Sequence, residues 1–463
     1  MNTRSFTLSI FAAVLFLQCL SPTGAATCHP DDEAGLLAFK SGITRDRLGI
    51  LSQLKKGTKC CYWMGVICNT GDRVTELEIN GFDILGQSVI SGTISPSLAK
   101  IQHLEGVYFN YLINVTGSFP QFLFKLTNLK YVEFTNTRLS GPLPANIGAL
   151  SQVIELTLQK SQFSGPIPTS ISNLTSLTLL RLSGNRISGT IPNVFKSRTK
   201  LEISQNRLSG NLPPSLTLLA STLELLDVSQ NILSGTIPNF LSRLKVLSTL
   251  VLSKNQYSGV VPKSFANMTK LAHIDLSHNL LSGAFPTMKI VGGIVFLDLS
   301  YNQFHLTTIP EWMRFDDWKP SRPQFYFYID LSENEITGSP TWFLKKALNL
   351  VEFQAPGNKL RFDMGKLKFR DSLIMLDISR NLVSGKVPAT VAGLKTLNVS
   401  QNHLCGELPV TKFLASAFKG TTVFAAHHFL HANVNSMKTT NLYPQIRFVL
   451  IKISSITIIM KMH

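Results

Sequence analysis

The sequence predicts an α/β solenoid, a superhelix of about fourteen short units stacked around one continuous core. Three observations support this fold. One pattern recurs between residues 74 and 410, mostly every 21 to 25 residues. Each copy contains a stretch of alternating leucines, and most copies carry an asparagine at the same place. One unit alone cannot bury its leucines, so the units must stack.

The chain begins with features typical of a secretory signal peptide. Arg4 precedes an apolar run over residues 8–20, and small residues follow as far as Ala26. The run is too short for a bilayer, which needs about 20 apolar residues. We therefore predict a signal peptide over residues 1–26 and a secreted protein, located extracellularly or in the cell wall. The sequence contains no convincing transmembrane segment, and peripheral membrane association stays open.

Four cysteines cluster behind the signal peptide, and an oxidising compartment favours disulfides between them. They are Cys28, Cys60, Cys61 and Cys68. Adjacent Cys60 and Cys61 can hardly pair with each other without strain. We prefer the bridges Cys28–Cys60 and Cys61–Cys68, although the sequence leaves other pairings open. A zinc site is disfavoured because the usual C-x₂₋₄-C pairs are absent.

Each unit follows the pattern L-x-x-L-x-L-x-x-N-x-L-x-G-x-I-P, as in LAHIDLSHNLLSGAFP at residues 271–286. The alternation predicts a short strand with its leucines inward. The asparagine amide can satisfy backbone groups at the turn that follows, so a ladder of asparagines is expected along the stack. The predicted ladder is Asn185, Asn206, Asn231, Asn255, Asn279, Asn302, Asn334, Asn358, Asn381 and Asn402. Upstream, the same frame places Phe82, Leu112, Thr137 and Ser161 at this position.

This pattern is a leucine-rich repeat, and its L-x-G-x-I-P ending resembles the plant extracellular subclass. That subclass includes receptor ectodomains and polygalacturonase-inhibiting proteins, and the chain looks closest to the inhibitor-like members. The resemblance implies a concave parallel β-sheet with a second short strand beside it in each unit.

Residues 27–73 resemble the amino-terminal cap of that family, through DDEAGLLAFKSGI (31–43) and CCYWMGVIC (60–68). The resemblance implies a disulfide-stapled cap in which a helix begins at Asp31 or Asp32. The side chains expected to cover the first repeat or the disulfides are Leu36, Leu37, Phe39 and Trp63.

Two segments depart from the repeat. The 32-residue spacing between Asn302 and Asn334 makes the unit at 303–330 irregular, and residues 311–324 are either an insertion loop or the remnant of a lost repeat. Near the end, Cys405 supplies the first cysteine of the family's carboxyl-terminal cap, and the others are missing. We expect residues 411–463 to form an atypical tail without repeat or cap, either divergent or a mispredicted coding end.

Acidic residues recur on the outward side of the predicted strands. Four positions before the ladder, eight of fourteen residues are acidic: Glu78, Glu133, Glu202, Asp227, Asp275, Asp298, Asp330 and Asp377. Such a stripe either hydrogen-bonds locally or faces a cationic partner patch. Asp275 and Asp298 could approach each other as glycosidase carboxylates do, but we expect an open, wet surface to leave their pKa values unseparated. We therefore predict no catalytic residue and no enzyme.

Aromatic and basic side chains share the same outward face and are the candidate partner-binding residues. Aromatic side chains are favoured interface anchors. The aromatic candidates are Phe296, Tyr301, Phe327 and Tyr328, and the basic candidates are Lys160, Arg181, Lys254, His278 and Arg380. The segment around Phe327 could equally pack beneath the irregular unit.

Four sequons suggest N-glycosylation at Asn114, Asn173, Asn267 and Asn398. In the repeat frame, Asn173 and Asn267 fall on the outer connecting side, whereas Asn398 falls on a concave strand.

The charge balance and the missing motifs exclude several functions. The chain has 44 basic and 27 acidic residues, a net charge of +17, without a nucleic-acid-binding module. Phosphate-binding, hydrolase and kinase motifs are absent, and no cofactor or metal is predicted.

The predicted function is a secreted cell-wall protein-binding module that recognises or inhibits a wall-degrading hydrolase such as polygalacturonase through its concave face. The basic body could also hold pectin, whose carboxylates attract Lys and Arg. The alternative is a receptor-like ectodomain or co-receptor that binds peptide ligands.

Overall fold

The fold was obtained as a computed structural model that describes residues 28–81, 90–195, 199–288, 294–307, 327–346, 350–425, 451–453 and 456–458. The predicted signal peptide, the ladder position at Phe82, the segment 311–324 and most of the tail lie outside these residues. The described chain forms the predicted leucine-rich-repeat solenoid, in which each unit contributes one strand to a long sheet and most units contribute a second strand to another.

The longer sheet, which we call the concave sheet, has fifteen strands among the described residues. Its strands in spatial order are β2 (Val66–Cys68), β3 (Val74–Asn80), β5 (Gly106–Asn110), β7 (Tyr131–Thr135), β9 (Glu155–Gln159), β11 (Leu179–Arg181), β13 (Lys200–Glu202), β15 (Leu225–Asp227), β17 (Thr249–Val251), β19 (His273–Asp275), β21 (Phe296–Asp298), β23 (Phe327–Asp330), β24 (Leu350–Gln354), β25 (Met375–Asp377) and β27 (Thr396–Asn398). Strand β2 is antiparallel to β3, and the remaining neighbours are parallel. Equivalent residues of successive units pair directly, as Leu250 does with Ile274.

The second sheet arises where the L-x-G-x-I-P ending follows the ladder asparagine. Its strands are β1 (Ile43–Asp46), β4 (Ile90–Thr93), β6 (Asn114–Gly117), β8 (Arg138–Pro142), β10 (Gln162–Gly165), β12 (Arg186–Thr190), β14 (Arg207–Gly210), β16 (Ile232–Thr236), β18 (Gln256–Val260), β20 (Leu280–Gly283) and β22 (Gln303–Phe304). Short 3-10 turns such as Lys263–Asn267 then lead to the next unit. The inward-facing apolar side chains of these elements, such as Leu250, Ile274 and Leu281, are buried in one contiguous core.

The asparagine ladder follows the predicted positions, and Asn279 shows its geometry. Its Oδ1 accepts a hydrogen bond from the Tyr257 N–H of the preceding unit at 3.0 Å. Its Nδ2 donates to the carbonyls of Leu252 and Leu276, both at 3.1 Å. Each asparagine therefore joins two consecutive units through backbone groups that the turns leave without strand partners.

Thr137 and Ser161 occupy the ladder position in two upstream units. Their hydroxyl oxygens lie 2.8 Å apart, and the Thr137 hydroxyl accepts a hydrogen bond from the Leu139 N–H. A hydroxyl thus takes over part of the asparagine's role.

The amino-terminal cap consists of helix α1 (Pro30–Ser41) and the disulfide-bonded segment behind it. The helix begins one residue earlier than predicted because His29 caps it, and Asp31 and Asp32 lie in its first turn. Leu36, Phe39 and Trp63 are buried, whereas Leu37 is half-buried. These side chains cover the core that the first repeat would otherwise expose.

Two disulfides hold the cap in the pairing preferred from the sequence. The sulfur atoms are 2.01 Å apart in Cys28–Cys60 and 1.99 Å apart in Cys61–Cys68. Asp32 is fully buried and accepts two hydrogen bonds from the Arg73 guanidinium, at 2.8 and 2.9 Å. This buried ion pair ties α1 to the start of the first repeat strand.

The concave sheet continues across the irregular unit without a gap. Strand β23 pairs with β21 in the regular register, so Asp298 lies beside Asp330. The second sheet is interrupted beyond β22, because the units after Asn334 and Asn358 lack the L-x-G-x-I-P ending. Helix α2 (Thr341–Lys346) occupies the outer side of the first of these units.

The solenoid extends beyond residue 410, where we predicted a tail without repeat or cap. A small sheet contains β26 (Ser384–Gly385), β28 (His403–Leu408) and β29 (Thr422–Ala425), and β29 lies parallel to β28. The Thr421 hydroxyl donates to the Phe418 carbonyl, as ladder asparagines do to the carbonyl three residues back. Residues 415–425 thus form one more divergent unit. Strands β30 (Ile451–Ile453) and β31 (Ile456–Ile458) pair with each other.

Candidate partner-binding surface

Three columns of outward side chains cover the concave sheet, because equivalent residues of successive strands lie side by side. The first column stands six residues before each ladder position: Glu76, Gly106, Tyr131, Glu155, Leu179, Lys200, Leu225, Thr249, His273, Phe296, Tyr328, Glu352, Met375 and Thr396. The second column stands two residues later and contains the acidic stripe. The third column directly precedes the ladder.

The third column has an unusual backbone that aims its side chains outward. Its non-glycine residues have φ between 48 and 57°, in the left-handed region. Lys254, His278 and Tyr301 are held there because each N–H donates, at 2.9 Å, to a serine carbonyl of the next unit. The column comprises Tyr111, Asn136, Lys160, Gly184, Gln205, Gln230, Lys254, His278, Tyr301, Glu333, Gly357, Arg380 and Gln401. Five of the nine predicted binding residues belong to it.

Stacked rings form an aromatic patch, which we define as His273, Phe296 and Tyr328 in the first column with His278 and Tyr301 in the third. The ring of Phe296 lies between those of His273 and Tyr328, with centroids at 4.3 and 4.7 Å and planes within 7° of parallel. The rings of His278 and Tyr301 stack at 4.2 Å. The Tyr301 side chain is accessible to a partner, since the residue is 51% exposed.

The patch brings together four of the predicted residues, Phe296, Tyr301, Tyr328 and His278. The backbone of Phe327 belongs to β23, but its side chain lies outside the described part of the structure. Sequence analysis missed His273. His273 stands six residues before Asn279, just as Phe296 stands six residues before Asn302. This shared position could have identified His273 from the sequence.

Between the two aromatic columns runs the acidic stripe, and its aspartates hydrogen-bond locally. One carboxylate oxygen of Asp275 accepts bonds from the N–H and hydroxyl of Ser277, at 3.0 and 2.7 Å. Asp330 repeats this arrangement with Ser332 and also accepts a bond from the Tyr328 hydroxyl. Local bonding therefore accounts for one oxygen of Asp275 and for both oxygens of Asp330.

Asp298 departs from the predicted uniformity of these carboxylates. Its pKa is raised to about 6, chiefly by burial and also by the flanking Asp330 and Asp275, whereas hydrogen bonds from Ser300 lower the pKa. The expectation that an open surface leaves the pKa values of Asp275 and Asp298 unseparated was therefore wrong for Asp298. The main cause is desolvation by burial in the assembled sheet, which the sequence of a single strand does not reveal.

The histidines of the patch do not neutralise these carboxylates. Burial lowers the pKa of His273 and of His278, and Lys254 lowers that of His278 further. Both rings are therefore neutral at neutral pH.

The other basic candidates lie apart from the patch or are already paired. Arg181 donates to Glu202 at 2.9 Å, four strands from β19, and Arg380 pairs with Glu333. Lys160 and Lys254 are exposed and make no ion pair among the described residues. Of the basic candidates, only Lys254 and His278 border the stacked rings.

The four sequon asparagines differ in accessibility. Asn173 and Asn267 are exposed at the ends of outer 3-10 turns. Asn114 is half-buried in β6. The Asn398 amide is engaged on both sides, since Nδ2 donates to Asp377 at 3.0 Å and Oδ1 accepts from Ser400.

Within the described residues, no helix is long and apolar enough to cross a membrane. The same residues contain no group of three metal-ligating side chains.

Comparison with known proteins places these features in context. The Leucine rich repeat N-terminal domain matches residues 29–69, and two Leucine rich repeat profiles match residues 176–197 and 221–281. DNA damage-repair/toleration protein DRT100 of Arabidopsis thaliana is 32% identical over 28% of this chain and 37% of its own length. A polygalacturonase inhibitor of Pyrus communis is 31% identical over 28% of this chain and 38% of its own length. The matches thus span under two fifths of these relatives.

Among solved structures, the plant peptide hormone receptor RGFR1 in complex with RGF2 has a similar fold. It superposes with a TM-score of 0.57 at 28% identity, over 72% of this chain and 57% of that chain. Together with the repeat matches, these likenesses show leucine-rich repeats and a resemblance to plant extracellular leucine-rich-repeat proteins, the polygalacturonase inhibitors among them.

Proposed function

We propose that the protein is a secreted protein-binding module that recognises a wall-degrading hydrolase, such as a polygalacturonase, through its concave face. The observation that carries this proposal is the aromatic patch, where stacked and partly exposed rings stand on an open sheet. Aromatic side chains with few rotatable bonds are favoured anchors of protein interfaces.

Rigidity makes the patch suited to binding. Each ring is stacked on another, and the third-column backbone is fixed by hydrogen bonds to the next unit. Side chains that are already ordered lose little conformational entropy on association. Inhibition would follow from occlusion, because a large surface docked beside an active site blocks substrate without any chemistry of its own.

The similarity to polygalacturonase inhibitors from three plants supports this target. Pectin binding stays a separate proposal. It would need basic residues away from the acidic stripe, because this stripe repels a polyanion.

Peptide recognition by a receptor-like ectodomain or co-receptor is the second candidate function. The likeness to a peptide-hormone receptor covers a larger share of the chain than the curated relatives do. A peptide laid along the aromatic patch would contact several units at once.

The test uses full-length protein from a secretory host and a purified fungal polygalacturonase. We expect the wild-type protein to lower the hydrolysis rate. The same inhibition should require an at least tenfold higher concentration of the doubly substituted F296A/Y301A protein. A matched control, Y62A in the amino-terminal cap, removes an aromatic side chain that is 77% exposed and lies outside the patch. Equal inhibition by all three proteins, or none by the wild type, would contradict the proposal.

A further inference from the structure

The face around the aromatic patch is strongly acidic although the whole chain carries a net charge of +17. From β15 to β25, the first and second columns contain no Lys or Arg. They contain six acidic residues, Asp227, Asp275, Asp298, Asp330, Glu352 and Asp377. The third column adds little positive charge, because Arg380 is paired with Glu333 and Lys254 alone stays unpaired among the described residues.

The three central carboxylates lack a cationic partner within the described structure. Asp275, Asp298 and Asp330 occupy successive strands and form no ion pair there. The pKa of Asp298 is raised to about 6, chiefly by desolvation and also by Asp330 and Asp275, so its negative charge is poorly compensated in the free protein. A cation placed here would relieve this penalty.

The rings suit the same kind of occupant. Asp275 and Asp298 lie between a first-column ring and a third-column ring, whereas Asp330 is flanked by the Tyr328 ring and by Glu333. A side chain that reaches Asp275 or Asp298 therefore passes between aromatic groups. The long aliphatic stems of Arg and Lys pack well against apolar surface while their charged ends stay with acids. Guanidinium groups also stack on aromatic faces.

We infer that this part of the concave face binds an extended, positively charged segment of a protein partner, with Arg or Lys side chains inserted between the two aromatic columns over Asp275, Asp298 and Asp330. The inference rests on the proposed function, because it assumes that the concave face is the binding surface, and it adds the chemistry of the partner.

The spacing of the carboxylates suggests how the cations are arranged. Strands lie ~4.8 Å apart, so three successive carboxylates span about 10 Å. Alternate residues of an extended chain point to the same side and lie about 7 Å apart. Two cations separated by one residue therefore fit over the row.

The probe is the peptide acetyl-Gly-Arg-Gly-Arg-Gly-amide, with the corresponding Glu peptide as its charge-reversed counterpart. Binding to the full-length protein is measured by calorimetry in the wild type and in D275N/D298N/D330N. Asparagine is compatible with this position, because Asn398 occupies it in β27 and accepts the same bonds from Ser400. The control E78Q/E133Q/E155Q removes three negative charges from the far end of the same sheet.

We expect saturable binding of the Arg peptide, weakened at least tenfold in the Asp triple variant and less than twofold in the Glu control. The Glu peptide should not bind. Equal weakening in both variants would overturn the inference, since it would indicate attraction by net charge alone. Absence of saturable binding to the wild type would overturn it as well.

The outcomes separate this inference from the proposed target. Arg-peptide binding without polygalacturonase inhibition would refute the hydrolase target and leave the cationic site standing. Inhibition that is unchanged in D275N/D298N/D330N would refute the cationic site and leave the hydrolase target standing.

Discussion

Replacing Asn279 by alanine tests whether the ladder holds the solenoid together. The side chain is 7% exposed and joins two units. In the Asn279→Ala protein, the Tyr257 N–H loses its acceptor at 3.0 Å. The three carbonyls that Nδ2 contacts keep another donor each: Asn255 for Leu252, Asn302 for Leu276 and the Lys254 N–H for Ser277.

The hydrogen bonds lost by Asn279→Ala determine how far the free energy of unfolding falls. One buried N–H becomes unsatisfied, which costs about 1–3 kcal/mol. The carbonyls lose a second donor but are not orphaned, so they add roughly 1 kcal/mol together. We therefore expect the free energy of unfolding to fall by about 2–4 kcal/mol.

Urea denaturation followed by circular dichroism measures this loss as a lower midpoint. Asn239→Ala is the matched control, because Asn239 is exposed on an outer turn and its side chain makes no hydrogen bond to the described residues. It should change stability by less than about 0.5 kcal/mol. Equal midpoints for the two variants would refute the idea that the ladder stabilises the stack.

Three further predictions concern single groups. Tyr257→Phe should raise the free energy of unfolding by about 1 kcal/mol, and with it the melting temperature, because the buried Tyr257 hydroxyl has no partner among the described residues. A lower melting temperature would show that this hydroxyl makes a stabilising hydrogen bond. The pKa of Asp298 is higher in the folded protein, about 6, than its ordinary value of 3.8, so the protonated carboxyl favours folding. This contribution to stability is complete below pH 3.8 and is lost as the pH rises through about 6. Asp298→Asn should therefore stabilise the protein at pH 7.5 but hardly at pH 4, and melting curves that differ equally at both pH values would contradict this. Mass spectrometry of secreted protein should find glycan at Asn267 and none at Asn398, whose amide already donates to Asp377; the opposite occupancy would refute the argument from accessibility.

The sequence predicted the repeat register well because the register depends on local periodicity. The alternation of leucines decides which face is buried, and the asparagine fixes where each strand ends. For this reason the outward positions of Phe296, Tyr301 and Tyr328 followed from counting alone.

Features that depend on neighbouring units were not predictable in this way. The last unit escaped notice because Thr421 replaces asparagine, although a hydroxyl can make the bond to Phe418. The raised pKa of Asp298 arises from burial and from the carboxylates on both flanking strands. Such effects require the lateral pairing of residues that are far apart in sequence.

A glycan placed on the concave face tests whether this face binds the hydrolase. The substitutions K254N/Q256T create a sequon in the third column beside His278, at a left-handed position that asparagine tolerates. The control R243N/K245T creates a sequon on an outer turn, at the place equivalent to Asn173. Inhibition of polygalacturonase is then measured for both glycosylated proteins. If the concave face binds the enzyme, the concave glycan abolishes inhibition and the outer glycan leaves inhibition intact. Full inhibition despite the concave glycan would contradict it.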